Sequence, residues 1–229
     1  MCNFYQGDLP MKIVIINGSP REKGLTASVL HHLEKNLTEQ GADVEFYDLS
    51  TLKMAQCRGC CACYTIGHCS MNDEAEMLTH AIENADGLIL GTTTYASNVS
   101  GHMKLLIDRG HFVIEQLLSE KHCITVTTGE NYGSKDASKI LKKLVLYSGG
   151  YLVRSIVINA PFNSGISSSE EKQIEVSEQK LFRAINKHKR YPFQSLFHGI
   201  IFSFGIKPFV KKKGEKYRGV VTKWKEYGV

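Results

Sequence analysis

Residues 12–30 read KIVIINGSPREKGLTASVL, and this stretch restricts the fold more than any other. Ile13, Val14, Ile15 and Ile16 are β-branched or apolar in one unbroken run. A strand covered on both faces has that pattern, which calls for a parallel sheet between two helical layers. Asn17-Gly18-Ser19-Pro20 stops the strand and turns the chain. Leu25, Val29, Leu30 and Leu33 then recur at helical spacing. The loop between them lies at the carboxyl end of the first strand, where open α/β sheets bind ligands. The helix start offers free N–H groups and a positive dipole end, both suited to a phosphate. Ser19, Thr26 and Ser28 add hydroxyls, Arg21 adds charge, and Gly18 and Gly24 let the backbone come close. There is no GxxxxGKS/T and no GxGxxG, which excludes a Walker loop and the dinucleotide fingerprint.

Strand and helix patterns alternate from there. Strands are expected at 43–49, 86–91, 122–128 and 151–159, and helices at 73–84, 102–118, 137–147 and 170–188. Five strands with right-handed crossovers, and a ligand loop after the first, predict a flavodoxin-like α/β fold of order 2-1-3-4-5. The 229 residues divide into an N-terminal extension (1–10), a domain over 11–190, and a helical C-terminal tail over 191–229. No apolar run is long enough to span a bilayer, and MCNFYQGDLP lacks the pattern of a secretory signal, so the expected location is cytoplasmic.

In such a sheet the loops after the first, third and fourth strands meet. The third-strand loop, GTTTYASNVSGHMK, offers Thr92, Thr93 and Thr94 hydroxyls, the Tyr95 ring and the Asn98 amide. The fourth-strand loop, TTGENYGSK, places Tyr132 between Gly129 and Gly133, after Thr128. A phosphate cradle facing aromatic and amide-bearing loops fits a phosphorylated planar ligand, the shape of flavin mononucleotide (FMN).

The blocks GSPREKGLTASVL, CRGCCACYTIGHC with MNDE, and ADGLILGTTTYASNVSGHMKLLIDR resemble the flavodoxin-fold NAD(P)H-dependent FMN reductases, and most nearly their iron–sulfur flavoprotein branch. The resemblance covers roughly residues 11–160. It implies FMN as cofactor, NAD(P)H as co-substrate, and a homodimer or homotetramer. It also implies that Ser19, Arg21, Gly24, Leu25 and Thr26 hold the phosphate and that Thr94, Tyr95, Ala96, Ser97 and Asn98 border the isoalloxazine. Lys104, Asp108 and Arg109 match the family's following helix. This chain has Thr93-Thr94 where the family usually has Pro-Val, so no proline fixes φ before Tyr95.

Five of the seven cysteines lie between Cys57 and Cys69. Without a secretory signal they are no disulfide framework; metal or redox chemistry is indicated. Cys57, Cys60, Cys63 and Cys69 are the candidate ligands, with Cys61 a spare. Closely spaced thiolates suit a 4Fe–4S cluster, and the spacing resembles the cluster motif of iron–sulfur flavoproteins. Tetrahedral zinc, or reduced structural or redox-active cysteines, are the alternatives. His68 lies within this loop and reads as a surface histidine, and Cys123 reads as core.

From Lys180 onward there are 13 Lys/Arg against two Asp/Glu, whereas the preceding residues carry 15 against 21. Phe193, Leu196, Phe197, Ile200, Ile201 and Phe204 sit at helical spacing ahead of Lys211-Lys212-Lys213. This suits a membrane-surface helix, or an appendage packed on the domain or across a dimer interface; the second is preferred. Nucleic acid is not an expected partner, since charge is the sole signal. The reading is an NAD(P)H-dependent FMN oxidoreductase that passes electrons to a small-molecule or protein acceptor, with no acid–base catalytic residue. An electron carrier with FMN and a 4Fe–4S cluster, and a non-enzymatic membrane- or partner-binding module, are the alternatives.

Overall fold

The computed structural model describes residues 10–161 and 163–229; the expected extension falls outside them except at its last residue. Strand β1 (Lys12–Asn17) pairs in parallel with β2 (Asp43–Asp48) on one side and β3 (Gly87–Tyr95) on the other. β3 continues to β5 (His122–Gly129), and β5 to β6 (Tyr151–Asn159), all parallel. The order β2-β1-β3-β5-β6 is the flavodoxin-like one expected. A sixth, two-residue strand, β4 (Asn98–Val99), folds back antiparallel on the end of β3.

The alternation within β1 builds both layers. Ile13 and Ile15 pack with α1 (Leu25–Glu39) and α7 (Ser168–Asn186), through Leu30, Leu33, Leu37, Ile174 and Leu181. Val14 and Ile16 face the other way, against α3 (Glu74–Glu83), α4 (Gly101–Arg109) and α6 (Ser134–Tyr147), which contribute Leu78, Ile82, Met103, Leu106 and Leu141. All four β1 residues are fully buried.

Two boundaries differ from expectation. The polar stretch after Gly91 is not a loop: β3 runs on to Tyr95, with Thr92 and Thr93 paired to Thr127 and Thr128. Four more ladder positions hold it, so its threonines are strand residues despite their polarity. The helix expected over 102–118 ends at Arg109 and restarts as the short α5 (Phe112–Glu115). His111 between them is left-handed (φ 49°), and a Cβ on Gly110 would lie 2.3 Å from the ring of Phe112. The break turns Phe112 into the core, where it is 1% exposed.

The cysteine connection contains one short helix, α2 (Ala62–Ile66). The tail comprises α8 (Pro192–Ile201), a π-helical turn (Phe202–Ile206), α9 (Lys207–Lys213), a 3-10 turn (Gly214–Tyr217) and α10 (Arg218–Glu226). It has its own apolar cluster of Phe202, Ile206, Val210, Val220 and Trp224, packed with Tyr64, Val113 and Ile114 of the main body.

Sheet and α1 meet closely at Gly91, where an added Cβ would lie 2.5 Å from a methyl of the fully buried Leu30. Gly91→Ala is expected to lower unfolding free energy by about 1–3 kcal/mol, because neither layer has room to shift. Urea denaturation measures this; a change within error would mean that α1 is free to move off the sheet.

Candidate functional site

At the carboxyl ends of the strands the chain is tied together by backbone bonds. Gly18 N–H donates to the Gly91 carbonyl at 2.7 Å. The Ser100 hydroxyl donates to the Gly18 carbonyl and accepts from Met103 N–H at 3.1 Å, so the α4 cap also locks the β1 loop. Asn17 Oδ1 accepts from Ser19 N–H at 3.0 Å, while its amide donates to Asp48 at 3.1 Å. These contacts hold the start of α1 at the crevice beside β3. Gly24 occupies the N-cap position and makes no side-chain cap, and the first turn carries no acidic residue. The first N–H groups of a 15-residue helix are thus left for a ligand.

A cavity of about 660 Å³ opens there. Arg21, Gly24 and Leu25 form one wall, Thr94, Tyr95, Ala96 and Ser97 a second, and Thr128, Gly129 and Tyr132 a third. The second wall is a two-residue hairpin: Tyr95 pairs with Asn98, and Ala96 and Ser97 both have positive φ, 47° and 60°. Such left-handed pairs are costly without glycine and mark a turn held by its surroundings. Here Gly133, itself at φ 88°, abuts Ser97, and a Cβ on it would lie 2.7 Å from Ser97 Cα. Thr94 donates to Ser134 Oγ at 3.2 Å, closing the hairpin onto α6. The stiffness that Pro-Val would give is supplied by strand pairing and these two contacts.

Four expected residues stand behind the cavity. Ser19 is buried and accepts from Arg21 N–H, and the Thr26 hydroxyl is buried against that of Thr128 at 2.7 Å. Asn98 spends its side-chain oxygen on Val99 N–H, and Gly133 shapes the hairpin from outside. Ser28 and Thr93, whose hydroxyls the sequence offers to the site, line the cavity as well, and Lys23, Glu130 and Asn131 join them without a sequence signal. A fourth wall, Ala160, Pro161, Asn163 and Ser164, was missed altogether. Its signal was the Pro-Asn-Ser-Gly composition directly after the last strand, since β6 sets Asn159 beside Gly129.

The cysteine loop is organised by one cation. Arg109, 2% exposed, forks onto Asp73 with two bonds of 2.8 Å, donates to the Ala55 carbonyl at 2.5 Å and reaches Cys69 Sγ at 3.4 Å. Both ends of the loop therefore hang on one guanidinium. Lys104 and Asp108, on the same helix, form an exposed ion pair. The Arg109 hydrogen bonds hold the Asp73 carboxyl down to about 2, against the opposing effect of burial and with help from the backbone N–H groups of Ala55 and Ala75. Cys60 is exposed, and its thiol is pulled below the usual range by the Ala62 N–H and then the Ser70 hydroxyl. Burial works against protonation of His111, but hydrogen bonds to Cys63 and Glu115 outweigh it and raise His111 to about 10. Cys123 is core, and burial pushes its thiol up to about 12.

The far side of the loop is held by the tail. Tyr64 stacks on Tyr217 at 4.6 Å, Thr65 donates to the Lys216 carbonyl at 2.9 Å, and a Cβ on Gly219 would lie 2.3 Å from Gly67 N. Four thiols on one surface loop, beside a fixed guanidinium, suit an anionic iron–sulfur cluster in donor chemistry and in charge. Among the described residues no three His, Cys, Asp or Glu side chains converge as a metal site does. Ligation would therefore draw the thiols inward within the frame set by Arg109.

A doubly wound sheet with an uncapped helix start, a strained hairpin and an aromatic-rimmed cavity defines a flavodoxin-like flavoprotein. Residues 11–164 match the model of the NADPH-dependent FMN reductases, and the chain belongs to that family. It is an NAD(P)H-dependent flavin oxidoreductase whose cofactor is FMN. It is 38% identical to an iron–sulfur flavoprotein of Clostridioides difficile, over 96% of this chain and 100% of that one. An iron–sulfur flavoprotein of Archaeoglobus fulgidus is 28% identical over 68% of this chain and 77% of its own. The FMN reductase (NADPH) of Escherichia coli is 23% identical over 77% and 91%. Among solved structures, an NADH:FMN oxidoreductase in its apo form superposes with a TM-score of 0.56 at 19% identity, covering 81% of this chain and 94% of that one. A pneumococcal flavodoxin superposes with a TM-score of 0.51 at 14% identity, covering 76% and 98%. These two likenesses show the fold.

Asp73→Asn removes the charge that balances a buried guanidinium and is expected to cost about 3 kcal/mol. Because the folded-state value of Asp73 lies below its usual 3.8, the stabilisation is complete above that pH and fades as pH falls toward about 2. Denaturation profiles across this range should lose that slope in the variant; an unchanged slope would show that the pair contributes nothing.

Proposed function

We propose that the cavity between the β1, β3 and β5 loops holds FMN, with its phosphate on the uncapped start of α1 and its ring system along the Tyr95–Asn98 hairpin. The observation that carries this reading is the pairing of those free N–H groups with an aromatic-rimmed cavity at the strand ends. Bound FMN would supply hydride acceptance from a reduced nicotinamide and onward electron transfer. The protein's part is binding and orientation. Arg21 and the Gly24–Leu25 backbone neutralise and seat the phosphate. Ser19 and Thr26 act from behind: one braces the loop at Arg21 N–H, the other ties α1 to Thr128. Thr94, Ala96, Ser97 and Gly129 present backbone at the ring edge, which Gly133 and Asn98 keep in shape. Tyr132, 84% exposed, and Tyr95, 49% exposed, would flank the open side where nicotinamide and acceptor enter in turn. No side chain is assigned acid–base work.

In the same reading, Cys57, Cys60, Cys63 and Cys69 would hold a 4Fe–4S cluster, whose chemistry is one-electron transfer to or from the flavin site. The Arg109–Cys69 contact favours this over a purely structural loop, since a buried cation aimed at a thiol suits a thiolate. The acceptor would then be a small molecule or a redox protein. Residues 11–190 would be the flavin domain and 191–229 its appendage, in a homo-oligomer. Among the described residues no helix is long and apolar enough to cross a membrane.

An anaerobic absorption spectrum with iron and sulfide assays, followed by NADPH and NADH oxidation, tests both halves. Flavin bands, nicotinamide oxidation and about four irons per chain are expected. A protein that stays colourless with added FMN would overturn the assignment of the cavity. Cys63→Ser should lose the iron–sulfur absorbance and keep the flavin bands.

Gly133→Ala meets an unfavourable φ and a Cβ contact with Ser97, so the hairpin must shift. FMN should bind about tenfold more weakly, as strain of about 1.4 kcal/mol would produce. Titration of apoprotein by flavin fluorescence quenching reads the change; wild-type affinity would place the ring away from this hairpin.

A further inference from the structure

The tail turns one apolar face inward and another outward. Phe202, Ile206 and Val210 point into the body of the protein. Phe193, Leu196, Phe197, Ile200 and Phe204 are exposed, and their spacing puts them on one face of the helix. Phe193 and Phe204 are 88% and 83% exposed, and the row they bound is roughly 16 Å long at the helical rise. Of the row expected to pack, Ile201 joins the inward cluster and the half-exposed Phe197 touches the Tyr147 ring at 6.0 Å between centroids, while the rest of the row faces away from the body of its own chain. Residues 192–206 contain no Asp, Glu, Lys or Arg. A solvent-facing row of five large apolar side chains without a charge among them is a docking surface.

Charge identifies the occupant. The row runs directly into Lys207, Lys211, Lys212 and Lys213, followed by Lys216. Lys207 lies over the Phe202 ring at 5.5 Å and Lys213 over Phe209 at 5.2 Å, and none of the five forms an ion pair among the described residues. Glu215 is the one acidic residue between Tyr191 and Lys225. Covering the row with a second copy would bring together two such cationic segments with almost no acid to meet them. An apolar face bordered by unpaired lysines instead matches a bilayer surface of anionic lipid, phenylalanines among the acyl chains and lysines at the headgroups. We infer that residues 193–213 are an interfacial anchor that docks this protein on anionic membrane. No residue beyond Ser164 lines the cavity, so the anchor contributes none of the flavin site's walls.

The test is co-sedimentation of the full-length protein, as isolated, with vesicles of phosphatidylcholine alone and of phosphatidylcholine containing phosphatidylserine. Binding to the second and not the first, weakening with added salt, is expected. Phe193→Ser with Phe204→Ser should reduce binding at least about tenfold, and so should Lys211→Glu with Lys212→Glu. All four positions are exposed, and emission of the single tryptophan, Trp224, buried with its indole N–H on the Ile114 carbonyl at 2.8 Å, reports that the tail is still folded. Sedimentation velocity without lipid completes the test, with equal mass expected for wild type and the phenylalanine variant. Failure to bind phosphatidylserine vesicles, undiminished binding by the phenylalanine variant, or a smaller lipid-free assembly for that variant would each overturn the inference. The last would assign the row to a second copy of the chain. None of these readouts depends on flavin content.

Discussion

Burial of β1 on both faces is the constraint from which the architecture follows. Ile13 and Ile15 demand one apolar layer and Val14 and Ile16 another, so helices must alternate sides as the chain crosses over. Once they do, strand order reverses beside β1, and the loops after β1 and β3 diverge around a crevice. The cavity is thus a consequence of hydrophobic packing. What the local sequence adds is closure of that crevice to the correct width: Gly18 against Gly91, with Ser100 holding both its own helix and the Gly18 carbonyl.

A second constraint is electrostatic. A fully buried guanidinium must have its charge met, and Arg109 meets it with Asp73, the Ala55 carbonyl and Cys69. Those partners come from both ends of the cysteine loop and from the cap of α3. The loop can be exposed and rich in thiols while its ends stay fixed, because the cost of releasing it is that of stranding a buried cation. The tail supplies the opposite support through Tyr217 and Gly219. Assembly of any cluster there is coupled to folding of residues far along the chain.

The strand order and both helical layers were legible because apolar period is a strong, local signal. The cavity was legible by region: ten of the fourteen residues expected at the flavin site line it. The misses share a physical cause. Ser19 and Thr26 offer hydroxyls in the sequence, and in the fold both are buried behind the cavity wall, where they brace the loops at Arg21 N–H and Thr128. Thr92–Tyr95 reads as a loop by polarity and is a strand by pairing: Thr92 and Thr93 pair with β5, a partner distant in sequence, and Thr94 and Tyr95 with the returning β4. The β6 loop was missed because its place at the site depends on parallel register, which no local pattern reports.

The tail shows the same limit from the other side. Periodicity located an apolar face at Phe193, Leu196, Ile200 and Phe204 correctly, yet it gave no direction for that face. A helix with apolar residues on two sides has two candidate cores, and only tertiary packing decides between them. Here the choice is made by Trp224, whose indole N–H finds the Ile114 carbonyl, and by Lys223 and Tyr227, which share Glu83. Those polar contacts fix the docking angle of α10, and Val220 and Trp224 then select Phe202, Ile206 and Val210 as the inward set. The remaining phenylalanines are left outside because the polar contacts of a neighbouring helix have already oriented the unit.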